Sequence, residues 1–366
     1  MNDTQKNLIY LLSCAVNGIT PDTAKVQAMD LEKLYRLAKF HTVRAAVCIA
    51  LEKAGVHEPH FHESYKKAIR KNIYLDMERT AIISAFEEKG IWYMPLKGSI
   101  LKDLYPENGM RQMSDNDVLF DAEKQVQSKE IMLSHGYTAE HYGVGNHDVY
   151  MKPPVLNFEL HTAFFGSAHA EPLYKYYADT RRLLRKDDGN SYGYHLSDED
   201  FYVYLTAHEW KHYNNSGTGI RSLLDCYVYC KAKGDALDWN YITEQCKQLE
   251  IADFEQERRK LAVKVFSSDT LPVLNETETK MLMYYLKSGT YGTFDNSIKK
   301  KLKDQSKAKY ILSSMFPKYD YLKRSVPFVG KCPALYPVGV LYRWGRILVK
   351  RRDLLKRTIK AVKKYG

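Results

Sequence analysis

The stretch LKGSILKDLYPENGMRQMSDNDVLF, residues 96–120, sets a Gly-Ser pair after one short apolar run and an Asp-x-Asp ahead of another. IWYMPL (91–96) reads as a strand, GSILKDLY as a short helix opened by the turn at Gly98, and NDVLF as a second strand. Side chains two apart on a strand project to one side, so Asp115 and Asp117 share a face. Carboxylates that close repel each other unless a cation lies between them. Oxygen ligands suit Mg²⁺ or Mn²⁺, and Mg²⁺ is usually held by one or two carboxylates together with phosphate oxygens. A third acid on a neighbouring strand would complete a two-metal clamp. Glu159, in VLNFELHTAF (155–164), is the candidate, because strand alternation turns it away from its apolar neighbours Phe158 and Leu160.

The turn supplies the complementary half. Backbone N–H groups where a turn enters a helix attract anions, and the Ser99 hydroxyl can donate to a phosphate oxygen. Lys97 or Arg111 would counter the remaining phosphate charge. An acid pair beside a turn more often caps a helix or stays solvated, so Asp-x-Asp is informative only in this company.

The chain has 366 residues, 45% hydrophobic and 27% charged, which excludes general disorder and is enough for two or three domains. Helical periodicity fills 1–89, helices and strands alternate over 90–196, and the helical period returns from Ser197 onward. The expected layout is α+β: a helical N-terminal region (1–89), an α/β core (90–196), a helical substrate-side domain (197–325) and a basic amphipathic C-terminal helix (326–366). Cys14, Cys48, Cys226, Cys230, Cys246 and Cys332 are scattered with no Cys-x-x-Cys spacing, and read as buried thiols of a reducing compartment. LIYLLSCAV, near the N-terminus, has only Lys6 upstream among basic residues and fits the first helix of a domain better than a signal peptide. No apolar run approaches the ~20 residues that span a bilayer.

Taken together, the central motifs resemble the nucleotidyltransferase superfamily of DNA polymerase β, in which a Gly-Ser turn, an Asp-x-Asp strand and a later acidic strand occur in this order. Within it the chain is similar to a bacterial, largely uncharacterised nucleotidyltransferase family. Leu96-Lys97-Gly98, Arg111, Asp115 with Asp117, and Glu159-Leu160-His161 stand at the matching places. LAKFHTV, HEWKH with RSLLD, and PALYPVGVLYRWGR extend a looser likeness to most of the chain. Asn116 departs from the apolar residue usual in the superfamily, and the spacing from Ser99 to Asp115 is longer than in many members. The resemblance implies a small mixed-sheet core and transfer of a nucleoside monophosphate from an NTP, ATP included, to an unidentified acceptor with release of pyrophosphate. It implies that Asp115, Asp117 and Glu159 hold Mg²⁺ or Mn²⁺, with Glu159 also placed to accept the acceptor's proton. Gly98 and Ser99 would hold the triphosphate, with Lys97 and Arg111 assisting, and His161 would pack beside the site. A catalytically silent nucleotide-binding protein of the same fold is an alternative.

A rival pattern lies further on. His208-Glu209-Trp210-Lys211-His212 fits H-E-x-x-H, which on a helix sets two imidazoles on one face with a Glu base, as in zinc metallopeptidases. Lys211 places a cation between those ligands, and the third would have to be Glu244 or Glu250. In the transferase reading His208, His212, Arg221 and Asp225 line a substrate pocket, with Asp225 also a candidate partner for Arg221.

The net charge of +11 sits mainly in residues 340–366, where ten Lys or Arg face Asp353 alone. The rest of the chain is nearly neutral, unlike a nucleic-acid-coating protein with a basic main body. Leu341, Leu348, Leu355 and Val362 recur every seven residues between the basic ones. That pattern serves a helix packed on the body or one lying on anionic lipid, with nucleic acid the weaker partner. The expected location is cytoplasmic, with peripheral membrane contact through this helix.

Overall fold

The computed structural model describes residues 1–167, 169–350 and 352–365. Five strands, β1 (Tyr93–Pro95), β2 (Asn116–Phe120), β3 (Thr138–His141), β4 (His147–Lys152) and β5 (Leu156–His161), form a sheet in the order β1-β2-β5-β4-β3. β2 and β5 are parallel and the other neighbours antiparallel. The sheet is therefore mixed and, with helices before and after it, the fold is α+β as the sequence pattern implies.

Alternation gives the sheet two unlike faces. Val118 and Phe120, Tyr150, and Leu156, Phe158 and Leu160 join Leu75, Ile82 and Phe86 of the helix Pro59–Glu88, and Ile131 and Met132 of the helix Gln125–Ser134, in one buried cluster. Burying a side chain of this size is worth about 1.5–3 kcal/mol, so the apolar face fixes the register of β2 against β5. The residues between them, Asp117, Glu159 and His161, must then turn to the other face.

Asn116 has a place in this arrangement. It is fully buried, its amide donates to the Leu75 carbonyl at 2.8 Å, and its Oδ1 accepts from Arg79 Nη1 at 3.1 Å. A polar side chain here ties β2 to the middle of the helix Pro59–Glu88, where an apolar one would only pack.

In the first helix, Asp3–Asn17, every residue from Leu8 to Val16 is buried, the environment that an all-round apolar run such as LIYLLSCAV requires. Ser13 Oγ donates to the Phe266 carbonyl at 2.9 Å, at the end of the helix Ala252–Phe266. Met1–Lys211 and Thr218–Thr290 accordingly make one compact unit, while His212–Gly217 and residues 291–366 make a second. Of the expected divisions, those at 89 and 196 lie where helix and strand meet and that at 325 falls between two helices, while the units divide elsewhere. Cys14, Cys48, Cys226 and Cys246 are buried thiols, Cys230 is half-buried, and Cys332, expected inside, is exposed.

Among the described residues the second unit has two small cores. Ile298, Tyr310, Ala361 and Val362 form one, and Leu322, Val326, Val329 and Val340 the other. The single helix expected over 326–366 is interrupted near its start: Pro327–Lys331 is followed by a 3-10 turn at Pro333–Leu335, and the described residues beyond are helical over Tyr336–Lys350 and Arg352–Tyr365. Pro327 and Pro333 stand at the first turns of new segments, where a missing N–H is tolerated. The seven-residue repeat divides accordingly, for Val362 is buried and Leu355 half-buried while Leu341 and Leu348 are exposed. Among the described residues no helix is long and apolar enough to cross a membrane.

Candidate functional site

The turn between β1 and β2 is tightly determined. Leu96 N–H donates to the Asp117 carbonyl at 2.9 Å, and Lys97 follows with φ 47° and ψ −107°, a conformation that L side chains rarely adopt. Its ammonium ends 2.7 Å from Asp117 Oδ1. At Gly98 a Cβ would lie 2.6 Å from Met113 Cε and 2.8 Å from Arg111 Nη1, so any larger residue would have to push the ends of those two side chains aside. Ser99 is buried and its hydroxyl donates to the Leu96 carbonyl at 2.9 Å, fastening the short helix Gly98–Leu101 to the strand before it.

Asp117 and Glu159 are direct partners across the parallel pair β2/β5. His161, two residues beyond Glu159, therefore lies on the same face. Its Nε2 is 2.7 Å from Asp117 Oδ1 and 3.7 Å from Glu159 Oε2. One donor atom from each of Asp117, Glu159 and His161 lies within 4.8 Å of the others. His147 of β4, the register partner of His161, brings Nε2 to 3.9 Å from Glu159 Oε2. Asp115, half-buried just ahead of β2 and bonded by Ser114 Oγ at 3.1 Å, is outside this closest set but within its field.

The charges act on one another in a site largely shut from water. Burial opposes ionisation of Asp117, but Lys97 and the His161 hydrogen bond hold its carboxyl well below the usual range. Burial, then the charge of Asp117, raises Asp115. Burial, then Asp117 and Asp115, pushes Glu159 up to about 7. Burial and the nearby Lys97 ammonium lower His161 to about 4, so its imidazole is neutral and donates Nε2–H to Asp117. Carboxylates displaced in opposite directions within one cleft are a pattern shared by functional sites and by structural ion-pair networks.

The helix Asp198–Tyr213 presents a second group of side chains to the same charges. Tyr204 is buried, and its hydroxyl feels Lys97, Asp117 and Glu159. Seven residues on, Lys211 feels the same three charges: burial and Lys97 lower its ammonium to about 8 against the pull of Asp117 and Glu159. The Tyr204 ring also lies 6.2 Å from that of His208, one turn along. Neither Tyr204 nor Lys211 was expected from sequence; the available signal was the helical spacing that puts 204, 208 and 211 on one face.

The other candidates have protein partners of their own. Arg111 Nε and Nη2 bond Asp225 Oδ1 and Oδ2 at 2.8 and 2.9 Å, and Nη1 reaches Met113 Sδ at 3.0 Å beside Gly98. Tyr105 OH donates to the same Asp225 Oδ1 at 2.6 Å. Asp225 thus clasps Arg111, and Arg221 holds the Gln112 carbonyl at 3.1 Å; both brace the segment between the turn and β2. His208 keeps to the Tyr204 side of its helix, whereas His212 belongs to the segment His212–Gly217 of the second unit. Glu209, the base of the rival zinc reading, is buried on the opposite side, accepting from Arg258 Nη1 at 2.9 Å and Tyr285 OH at 2.6 Å. Glu244 and Glu250 are exposed, and among the described residues no three-ligand group contains His208 or His212.

The residues present fit a divalent cation. Two carboxylates supply hard oxygens suited to Mg²⁺ or Mn²⁺, with the His161 imidazole beside them. A second group, Cys48, Glu52 and His62, has the same close spacing but lies on the helices Arg44–Lys53 and Pro59–Glu88. Comparison with curated proteins and with solved structures gives no match. The sequence signature of a family described as an uncharacterised nucleotidyltransferase matches residues 27–267, which take in the turn, the acidic strands and the helices around them; the chain belongs to that family.

Proposed function

We propose that the protein is a Mg²⁺- or Mn²⁺-dependent enzyme that moves a nucleoside monophosphate from an NTP, ATP among them, to a hydroxyl or phosphate of an acceptor, releasing pyrophosphate. The observation that carries this reading is the register of Asp117 opposite Glu159 on the sheet face turned away from the core, beside the Gly98 turn. A bound divalent ion would polarise the phosphoryl oxygens and offset the charge that develops on the leaving group. Asp117 and Glu159, with Asp115 and the neutral His161 beside them, would hold it. The Gly98 backbone and Ser99, its hydroxyl turned from Leu96 to a phosphate oxygen, would cradle the triphosphate, while Arg111 keeps that turn in place from behind. Lys97, already at Asp117, restrains the carboxylate and lies next to the phosphates. Glu159 would take the acceptor's proton as the new P–O bond forms at the α-phosphorus. The bond to the bridging oxygen breaks, and its electron pair leaves with pyrophosphate.

The test is incubation with each α-phosphate-labelled NTP, Mg²⁺ or Mn²⁺ and a cell extract, followed by identification of the labelled product by mass. Label transfer that disappears in Asp117→Asn supports the proposal. Nucleotide binding without transfer, for any NTP and extract, would leave the catalytically silent binding protein as the better reading.

The proposed location is the cytoplasm, with the second unit touching anionic lipid. Supporting this, Val338, Leu341, Tyr342, Leu348 and Val349 fall on one face of the helix Tyr336–Lys350 and are all exposed, in a segment rich in Arg and Lys. Flotation with vesicles of phosphatidylserine and phosphatidylcholine, against phosphatidylcholine alone, tests it, since binding should require the anionic lipid and weaken with salt.

A further inference from the structure

Lys211 is an unusual lysine. It is half-buried at the end of the helix Asp198–Tyr213, and its Nζ lies 5.8 Å from the centroid of the Phe165 ring. Phe165 belongs to an aromatic wall, packed 5.1 Å from Tyr177 and 6.3 Å from Tyr204, centroid to centroid. The ammonium rests against this ring and, among the described residues, has neither an ion pair nor a hydrogen bond. Yet its charge interacts with Lys97, Asp117 and Glu159 in the site, and with His147 and His169 around it.

A cation kept from water normally takes the nearest carboxylate. Here Lys97 already occupies Asp117 Oδ1 at 2.7 Å, in contact with His161 on the same oxygen. Glu159 and Asp117 would give their remaining charge to a divalent ion. Among the described residues no carboxylate is paired with Lys211, so the group that complements it would come with the substrate. It must also be strongly anionic, because it has to satisfy a second ammonium in a cleft that already contains Lys97.

We propose that Lys211 holds the terminal phosphates of the nucleotide, the pair that leaves as pyrophosphate. The inference rests on the nucleotidyl-transfer reading and adds to it a residue from outside the sheet and its turn. The turn and the metal ligands grip the nucleotide from the sheet side, and Lys211 reaches it from the facing helix. As the bond from the α-phosphorus to the bridging oxygen breaks, negative charge grows on the leaving group, where this ammonium would be most effective. The aromatic base keeps the side chain extended toward the cleft and lowers the entropy lost on binding.

The experiment measures binding of inorganic pyrophosphate, and separately of a nucleoside monophosphate, to the full chain with Mn²⁺ by calorimetry. Wild type is compared with Lys211→Met, which keeps the apolar stem over Phe165, and with Lys211→Arg. Loss of one charge-assisted contact should weaken pyrophosphate about ten- to hundredfold in Lys211→Met, with monophosphate and Mn²⁺ binding unchanged and most of the pyrophosphate affinity retained in Lys211→Arg. Equal pyrophosphate affinity in wild type and Lys211→Met would overturn the role of Lys211 while leaving the transferase reading intact. So would equal weakening of both ligands, the result expected of a general structural role. Wild type that binds neither ligand with Mn²⁺ would overturn the nucleotide site itself.

Discussion

Arg111 holds Asp225 by two parallel hydrogen bonds, 2.8 Å from Nε to Oδ1 and 2.9 Å from Nη2 to Oδ2, although the residues are 114 apart in sequence. Both side chains are mostly buried. Removing one member leaves the other charge without its partner, so Arg111→Ala should lower stability by about 3–5 kcal/mol. Arg111→Lys should recover little, because an ammonium cannot make both bonds. Urea unfolding of the three proteins measures this. A loss below about 1 kcal/mol in Arg111→Ala would mean that the pair is not formed in solution.

Metal binding should depend on the face shared by β2 and β5. Asp117→Asn and Glu159→Gln are each expected to weaken Mn²⁺ on the order of a hundredfold, roughly 2.7 kcal/mol, while Asp225→Asn leaves it unchanged. Mn²⁺ must also displace the Glu159 proton wherever that group, raised to about 7, is still protonated. Affinity should therefore fall as pH drops below about 7, approaching tenfold per unit, and this slope should diminish in Glu159→Gln. Titration of Mn²⁺ by electron paramagnetic resonance at several pH values gives both quantities. Affinity independent of pH from 5 to 8 in wild type would contradict the assignment.

The rival helix motif should prove structural. Glu209, Arg258, Thr206 and Tyr285 form one buried network, with Arg258 Nη2 donating to Thr206 Oγ1 at 2.9 Å. Glu209→Ala strands the Arg258 guanidinium and is expected to cost about 3–5 kcal/mol. The protein should also purify without stoichiometric zinc. One tightly held zinc per chain, lost in His208→Ala, would revive the peptidase reading.

His41 makes stability depend on pH away from the site. It is buried, its Nδ1 accepts from Ile220 N–H at 3.3 Å, and burial lowers its pKa to about 4 from the ordinary 6.5. The unfolded chain takes up this proton first, so the neutral ring stabilises the fold above about pH 6.5 and that contribution is lost as pH falls toward 4. Over the whole window the loss is roughly 3 kcal/mol. Unfolding midpoints at pH 7 and pH 5 should differ less in His41→Gln, which keeps an acceptor without a titrating ring. An equal difference would show that other groups carry the effect.

Strand geometry is strict, so part of this face was legible. Period-two alternation puts Asp117 and Glu159 on the side away from the core without tertiary information, and a Gly-Ser pair between apolar runs marks the turn, whereas Asp115, expected on the same strand, precedes β2 and stands outside the closest group. His161 was harder, since a histidine between Leu160 and Thr162 looks the same whether it packs or donates to a carboxylate. The Asp225 partner of Arg111 was not legible because it lies on a distant helix, and an Arg near acids looks alike whether it meets a phosphate or an aspartate. The helix Asp198–Tyr213 shows both outcomes: Tyr202, Thr206 and Glu209 point to one interior, while Tyr204, His208 and Lys211 point to another. H-E-x-x-H spacing records the sequence offset but does not reveal which side holds the core. The broken C-terminal helix was foreseeable from Pro327 and Pro333, but the seven-residue repeat concealed it.

Because His212–Gly217 belongs to the second unit while the chain on either side belongs to the first, the two are joined by three crossings of the backbone. Thr293 N–H donates to the Ser216 carbonyl at 2.7 Å, and Gly292 passes so near Ser216 that a Cβ would collide with it. The C-terminal part is stitched in and cannot be detached as a bead from a string. Cutting the gene after Thr290 would leave an orphan loop between two helices of the larger body, so a shortened version is a poor stand-in for the intact molecule.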